Sequence, residues 1–241
     1  MTVLLLDVGN TRVKWAMVDG GRWLARGAAP VAALPACRRI WQRYAPFAAC
    51  HGVNVAGEAA AAAVAATGLA VCWQHAAAHA CGVVNRYRDP ARLGADRWAA
   101  LVAARARSRV ACLVVSAGTA LTADALTAGG EFLGGVIVPG LATMRWALAQ
   151  RTAAAGADVA AVMDFPRDTA AGVATGNMLA AAGAIDRMRA RLADYAGSTP
   201  PVLLTGGDAG RLAPHLTGAV EVVPDLVLEG VALLAGVTTC A

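Results

Sequence analysis

The feature that most constrains the fold is a repetition. Asp7-Val8-Gly9-Asn10-Thr11 near the start and Ser116-Ala117-Gly118-Thr119-Ala120 at mid-chain each follow an apolar run and centre on a glycine. The two segments superpose at a constant offset with no gap. Leu4-Leu5-Leu6 falls on Leu113-Val114-Val115, Gly9 on Gly118, Gly20-Gly21 on Gly129-Gly130, and Trp23-Leu24 on Phe132-Leu133. Each copy reads as strand, polar glycine turn, strand, Gly-Gly hairpin and third strand, the punctuation of a β-meander. Two related α/β domains are therefore expected in one chain, and two such turns facing each other make a phosphate site.

Length and pattern agree with that division. A chain of 241 residues accommodates two modest domains, each with a real core. Strands are expected at about 2–7, 12–18, 22–27, 69–73, 111–116, 120–126, 132–137, 201–205 and 220–223. Helices are expected at about 31–43, 55–66, 95–108, 140–150, 168–193, 208–215 and 226–237. The boundary is placed after the helix that begins at Ala95, giving domains 1–109 and 110–241. No low-complexity linker separates them, so a cleft between packed halves is the expectation.

Composition excludes several classes. The apolar fraction is 58%, but much of it is alanine, and the best membrane-span candidate, Val55 to Cys72, carries Glu58 and two glycines. The apolar run at the start lacks a charged leader and meets Asp7 within a few residues, so no signal peptide is expected and residence is read as cytoplasmic. Six cysteines show no CxxC spacing, which suits reduced thiols. Cys72, His75, His79 and Cys81 lie in a single short stretch, whereas structural zinc draws its ligands from two separated knuckles. They are read instead as the start of a helix with two histidines on one face. The net charge of +5 comes from dispersed arginines not interleaved with aromatics, which argues against a nucleic-acid groove and for anionic small ligands. Lys14 is the only lysine in the chain, and it lies just beyond the first glycine turn.

That turn carries the chemistry. A glycine lets backbone N–H groups approach a polyphosphate closely, Asn10 and Thr11 add neutral hydrogen bonds, and Lys14 supplies point charge. Asp7 is the residue to organise Mg2+ and its waters, because Mg2+ takes few protein carboxylates. Neither a Walker A loop nor a dinucleotide fingerprint occurs, so the phosphate site must be shared between the domains. The actin, sugar kinase and Hsp70 group binds ATP in this way, and Thr205-Gly206-Gly207-Asp208 after the strand-like Val202-Leu203-Leu204 is placed to serve as its adenosine-side glycine segment.

Four stretches in order resemble the type III pantothenate kinases: Asp7 to Lys14, Gly94-Ala95-Asp96-Arg97-Trp98, Gly118 to Asp124, and Gly134-Gly135-Val136-Ile137-Val138-Pro139-Gly140-Leu141. With Thr169 and Gly206-Gly207, the resemblance spans about residues 3 to 210. It implies two ribonuclease-H-like domains with mixed sheets flanked by helices, and phosphorylation of the primary hydroxyl of pantothenate by ATP, the first step towards coenzyme A. Carried over by position, Asp7, Val8, Gly9, Asn10, Thr11, Arg12, Val13 and Lys14 form the ATP phosphate loop. Thr119, Gly206 and Gly207 complete the nucleotide contacts. Tyr87, Gly94, Ala95, Asp96, Arg97 and Thr169 form the pantothenate site, Asp96 is the general base, and Asp7 and Asp124 attend the metal. Asp96, flanked by Arg97 and a helix start, is expected to stay ionised. The resemblance also implies a homodimer and a monovalent cation, K+ or NH4+. The family commonly has Asp where this chain has Ser116, which puts that cation in doubt. A regulator that keeps the fold without catalysis, or a kinase of another small alcohol, are the alternatives.

Overall fold

The computed structural model describes residues 1–152, 160–237 and 239. In chain order its elements are β1 (Val3–Val8), β2 (Arg12–Asp19), β3 (Arg22–Pro30), α1 (Leu34–Trp41), β4 (Ala49–Asn54), α2 (Glu58–Ala65), β5 (Cys72–Trp73), β6 (His79–Ala80), β7 (Val83–Asn85), α3 (Ala95–Arg107), β8 (Cys112–Ala117), β9 (Ala120–Leu126), β10 (Glu131–Pro139), α4 (Leu141–Arg151), α5 (Thr169–Ala196), β11 (Val202–Thr205), α6 (Ala209–Leu212), β12 (Val220–Val222) and α7 (Leu226–Leu234). They fall into two compact units. One comprises Met1–Arg109, Gly130–Phe132 and the residues from Asp225 on; the other comprises Val110–Gly129 and Leu133–Pro224.

The first unit is built on a sheet of order β3-β2-β1-β4-β5, in which β1 is antiparallel to β2 and parallel to β4. β1 takes the centre because its run is apolar on both faces: Leu4, Leu5 and Leu6 are all fully buried. Leu4 and Leu6 pack with Leu34, Cys37 and Trp41 of α1 and with Ala60 and Val64 of α2. α7 packs on β1 and β4 and lies along α3. The two helices approach closely enough that a Cβ on Gly230 would meet the Ala99 carbonyl oxygen at 1.9 Å.

Two parts of this unit depart from the sequence pattern. β4 has little strand signal, since Ala-Cys-His-Gly-Val-Asn holds one β-branched residue and a glycine; it forms as the parallel neighbour of β1. Its Gly52 is needed there, because a Cβ would lie 3.0 Å from the Leu6 carbonyl oxygen and 3.0 Å from the Trp73 ring. The stretch from Cys72 to Cys81 opens no helix. It holds the short strands β5 and β6, and among the described residues no group of three or more His, Cys, Asp or Glu could hold a metal.

The second unit repeats the plan. Its strands run in the order β12-β11-β8-β9-β10, the counterpart of β5-β4-β1-β2-β3, with β8 antiparallel to β9 and parallel to β11. The expected α/β class, mixed sheets flanked by helices, is what the chain adopts. β8 and β10 fall at the positions of β1 and β3 displaced by 109 residues, but the hairpin between β8 and β9 is one residue tighter than the first. The Gly9 N–H donates to the Arg12 carbonyl at 3.0 Å, whereas the Gly118 N–H donates to the Ala120 carbonyl at 3.1 Å. The 28-residue α5 starts at Asp168, whose carboxylate accepts from the Ala171 N–H at 2.8 Å, and ends at Gly197 in the left-handed conformation. Among the described residues no helix is long and apolar enough to cross a membrane.

Candidate active site

In the first unit the site begins where β1 ends. Asp7 is the next-to-last residue of β1 and stands across the antiparallel ladder from Lys14, with Val8 opposite Val13. Both valines are fully buried and hold the base of the loop in the core, while Asn10, Thr11 and Arg12 at its tip are exposed. The Gly9 to Arg12 hydrogen bond closes this tip into a tight turn.

The second part of the site is the start of α3. Gly94 is its N-cap, and Asp96 lies in the first turn, where the helix dipole favours an anion. One Asp96 carboxylate oxygen accepts from the Arg97 N–H at 2.8 Å. Gly94 leaves that carboxylate its room: a Cβ there would lie 2.8 Å from Asp96 Oδ1. Helix packing sets the direction of this end, since every residue from Trp98 to Ala104 is buried.

The two carboxylates feel one another. Withdrawal from water, then the charge of Asp96, pushes the Asp7 carboxyl up to about 7, with Lys14 pulling the other way. Asp96 is also raised, by burial first, against the opposing pull of the Arg97 N–H and the Arg97 charge. The helix start and Arg97 do favour its anion, as the sequence suggests, but desolvation outweighs them, and burial is not legible in a lone Gly-Ala-Asp-Arg. Asp96 is thereby a stronger base than an exposed carboxylate. Two interacting carboxylates, each raised by burial, fit a divalent cation, which would relieve their repulsion.

Arg97 is 6% exposed and is held by aromatics. Its Nη1 donates to the Tyr87 hydroxyl at 2.8 Å, and its guanidinium carbon lies 5.6 Å from the Tyr87 ring centroid and 5.9 Å from that of Phe132. The Tyr87 and Phe132 rings stack at 5.5 Å. Tyr87 is placed by Asn85, a buried residue whose Nδ2 donates to the carbonyls of Ala77 and Pro90 and whose Oδ1 accepts from the Tyr87 N–H. Neither Asn85 nor Phe132 stands out in the sequence as a site residue. The signal for Asn85 was its position two residues before Tyr87, the spacing of an Asx turn; Phe132 reads only as a strand residue.

In the second unit, Thr119 sits at the tip of the β8–β9 turn. Its carbonyl accepts from the Gly140 N–H at 3.0 Å and from the Thr143 hydroxyl at 2.7 Å. Gly206 follows β11 at φ +103°, with the Ala117 carbonyl oxygen 2.3 Å from where a Cβ would stand, so only glycine fits this approach; Gly207 beside it is exposed. Asp124 is 2% exposed in mid-β9, opposite Val114 and close under Gly135. Ser116 lies between Thr122 of β9 and Thr205 of β11, a row of three hydroxyl residues across the sheet. Thr169 is the exposed first residue of α5, next to its Asp168 cap. The structure thus brings Asp7, Lys14, Tyr87 and Gly94 to Arg97 together in the first unit, and Thr119 and Gly206 onto neighbouring strand ends in the second.

Comparison with known proteins gives the family. The family profile described as type III pantothenate kinase matches residues 3–191. The type III pantothenate kinase of Thiobacillus denitrificans is 46% identical over 229 residues, covering 95% of this chain and 94% of that protein. That of Aromatoleum aromaticum is 46% identical over 237 residues, covering 97% of each. Among solved structures, a protein from Campylobacter jejuni described as Baf family shares the fold at a TM-score of 0.63 and 19% identity, covering 97% of both chains. With matches of this extent to profile and relatives, the chain belongs to the type III pantothenate kinase family.

Proposed function

We infer that the protein transfers the γ-phosphoryl group of ATP to the primary hydroxyl of pantothenate, giving 4'-phosphopantothenate at the first step of coenzyme A synthesis. The observation that carries this reading is the meeting of Asp7, Lys14 and Asp96 beside an arginine stacked on two aromatic rings. Phosphoryl transfer asks for in-line positioning and charge neutralisation more than covalent chemistry, and this set supplies both. We assign Asp7 to Lys14 to the polyphosphate, with Lys14 as its point charge. Thr119, Gly206 and Gly207 are the nucleotide contacts from the second unit. Asp96 accepts the hydroxyl proton as the new P–O bond forms, and its raised affinity for a proton suits that task. Arg97 forks onto the pantothenate carboxylate, with Tyr87, Gly94, Ala95 and Thr169 as further substrate contacts. Asp7 and Asp124 would hold Mg2+, whose charge when bound offsets that of the phosphates.

Three further assignments belong to this proposal. Ser116 leaves no carboxylate at the second turn, so we propose that any monovalent cation is held only weakly, by hydroxyls and carbonyls. We propose a homodimer, as the family resemblance implies, which sedimentation at micromolar concentration would detect. We place the enzyme in the cytoplasm. The activity is tested by ADP release from purified protein with Mg·ATP, with and without pantothenate. Pantothenate-dependent turnover is the expected result, and nucleotide binding without turnover would overturn the reading.

A further inference from the structure

The stack beneath Arg97 does more than fill space. Phe132 is fully buried, one face on Tyr87 and its ring within cation–π range of the Arg97 guanidinium. Its backbone is tied to the same region: Phe132 pairs with Asn85 in the parallel β7–β10 ladder, and the Arg86 N–H donates to its carbonyl at 3.2 Å. Three elements therefore converge on one guanidinium. The segment after β7 supplies the Tyr87 hydroxyl and ring, β10 supplies Phe132, and α3 supplies Arg97 itself. A long arginine side chain has many rotamers, and ordering it only on binding would cost affinity. Packed against two stacked rings, its plane is fixed before the substrate arrives.

We propose that Phe132 is a positioning residue for substrate recognition: it holds the Arg97 guanidinium in the plane that takes the carboxylate of the acceptor, and so sets the preference for an acid over its neutral analogue. The proposal rests on the reading that Arg97 binds the pantothenate carboxylate. It is separable from the chemistry, because Phe132 is argued to act through Arg97 and not on the reacting atoms. Leucine at position 132 would keep most of the apolar volume and lose the ring face. Tyrosine would keep the face.

The test compares dissociation constants for pantothenate and for pantothenyl alcohol, which differ only in carboxylate against hydroxymethyl. The proteins are the natural one, Phe132→Leu, Phe132→Tyr, Arg97→Gln and the Phe132→Leu/Arg97→Gln double variant. Phe132→Leu is expected to weaken pantothenate about tenfold and the alcohol less than about twofold, the loss of a pre-ordered charged contact. Phe132→Tyr restores the ratio, and the double variant is no worse than Arg97→Gln alone, as residues acting through one contact should behave. Equal weakening of both ligands by Phe132→Leu, or failure of tyrosine to restore the ratio in a protein that melts normally, would reduce Phe132 to a core residue and overturn the proposal. If Arg97→Gln itself leaves the ratio unchanged, the reading of Arg97 falls instead.

Discussion

Asp7 and Lys14 face each other across the β1–β2 ladder, yet the lysine does not hold the aspartate in its ordinary range. Burial and Asp96 together outweigh it, and the Asp7 carboxyl rises from 3.8 to about 7. A carboxyl raised in the fold binds a proton that the unfolded chain has already released between those two values. Its contribution to stability therefore falls as pH rises through that window, and the full cost is present above about pH 7. Asp7→Asn should remove the cost. The free variant is expected to be more stable than the natural protein by up to about 4 kcal/mol at pH 8, with no difference near pH 3. Urea titrations at the two pH values check this, and a gain independent of pH would refute it.

Asp96→Asn keeps the size of the side chain and a hydrogen-bond acceptor for the Arg97 N–H, but cannot take a proton. Turnover should fall about 100-fold or more while pantothenate binding changes little. Steady-state kinetics beside a direct binding measurement separates the two, and unchanged turnover would remove Asp96 as the base.

Lys14→Ala removes the only lysine and the one cation set against Asp7 in the ladder. KM for ATP is expected to rise about tenfold or more, with KM for pantothenate nearly unchanged. An ATP dependence like that of the natural protein would dismiss the phosphate role.

Ser116→Asp places a carboxylate between Thr122 and Thr205. It should create or strengthen activation by K+ over a bulky organic cation, because a carboxylate is the stronger ligand for a hard ion. Rates measured in both buffers decide the matter, and a variant indifferent to K+ shows that the cation site is not built there.

Gly230→Ala drives a methyl group into the Ala99 carbonyl and must push α7 off α3. A loss of about 1–3 kcal/mol is expected, the ordinary cost of overpacking, with activity per folded molecule reduced because α3 carries Asp96 and Arg97. Thermal melting that matches the natural protein would show that the helices shift without cost.

The repeated meander was legible because glycine turns and apolar runs are local signals, and β1 and β3 recur at the expected distance as β8 and β10. The gapless superposition misplaced one residue. In the first hairpin Asp7 faces Lys14, but in the second Ser116 faces Thr122, since hydrogen bonding and not alignment sets the register. β4 was hidden for a different reason: its strand character comes from its neighbour β1 and not from its own residues. In the site, Asp7, Lys14, Asp96 and Arg97 were marked by motif, whereas Phe132 and Asn85 owe their importance to packing between segments far apart in sequence.

The pairing of α3 with α7 also dictates an order of events during synthesis. α7 leaves the ribosome after every strand of the second unit, yet it covers the sheet and α3 of the first. Until then the nascent first unit presents the apolar flank of α3 and β1 without its cover. The N-terminal half cannot finish ahead of the C-terminal one, and domain-by-domain maturation is closed to this chain. Emerging chains should engage holdase chaperones until α7 has left the ribosome, and truncation before Asp225 should leave α3 and the central strands of the first unit on an incomplete scaffold.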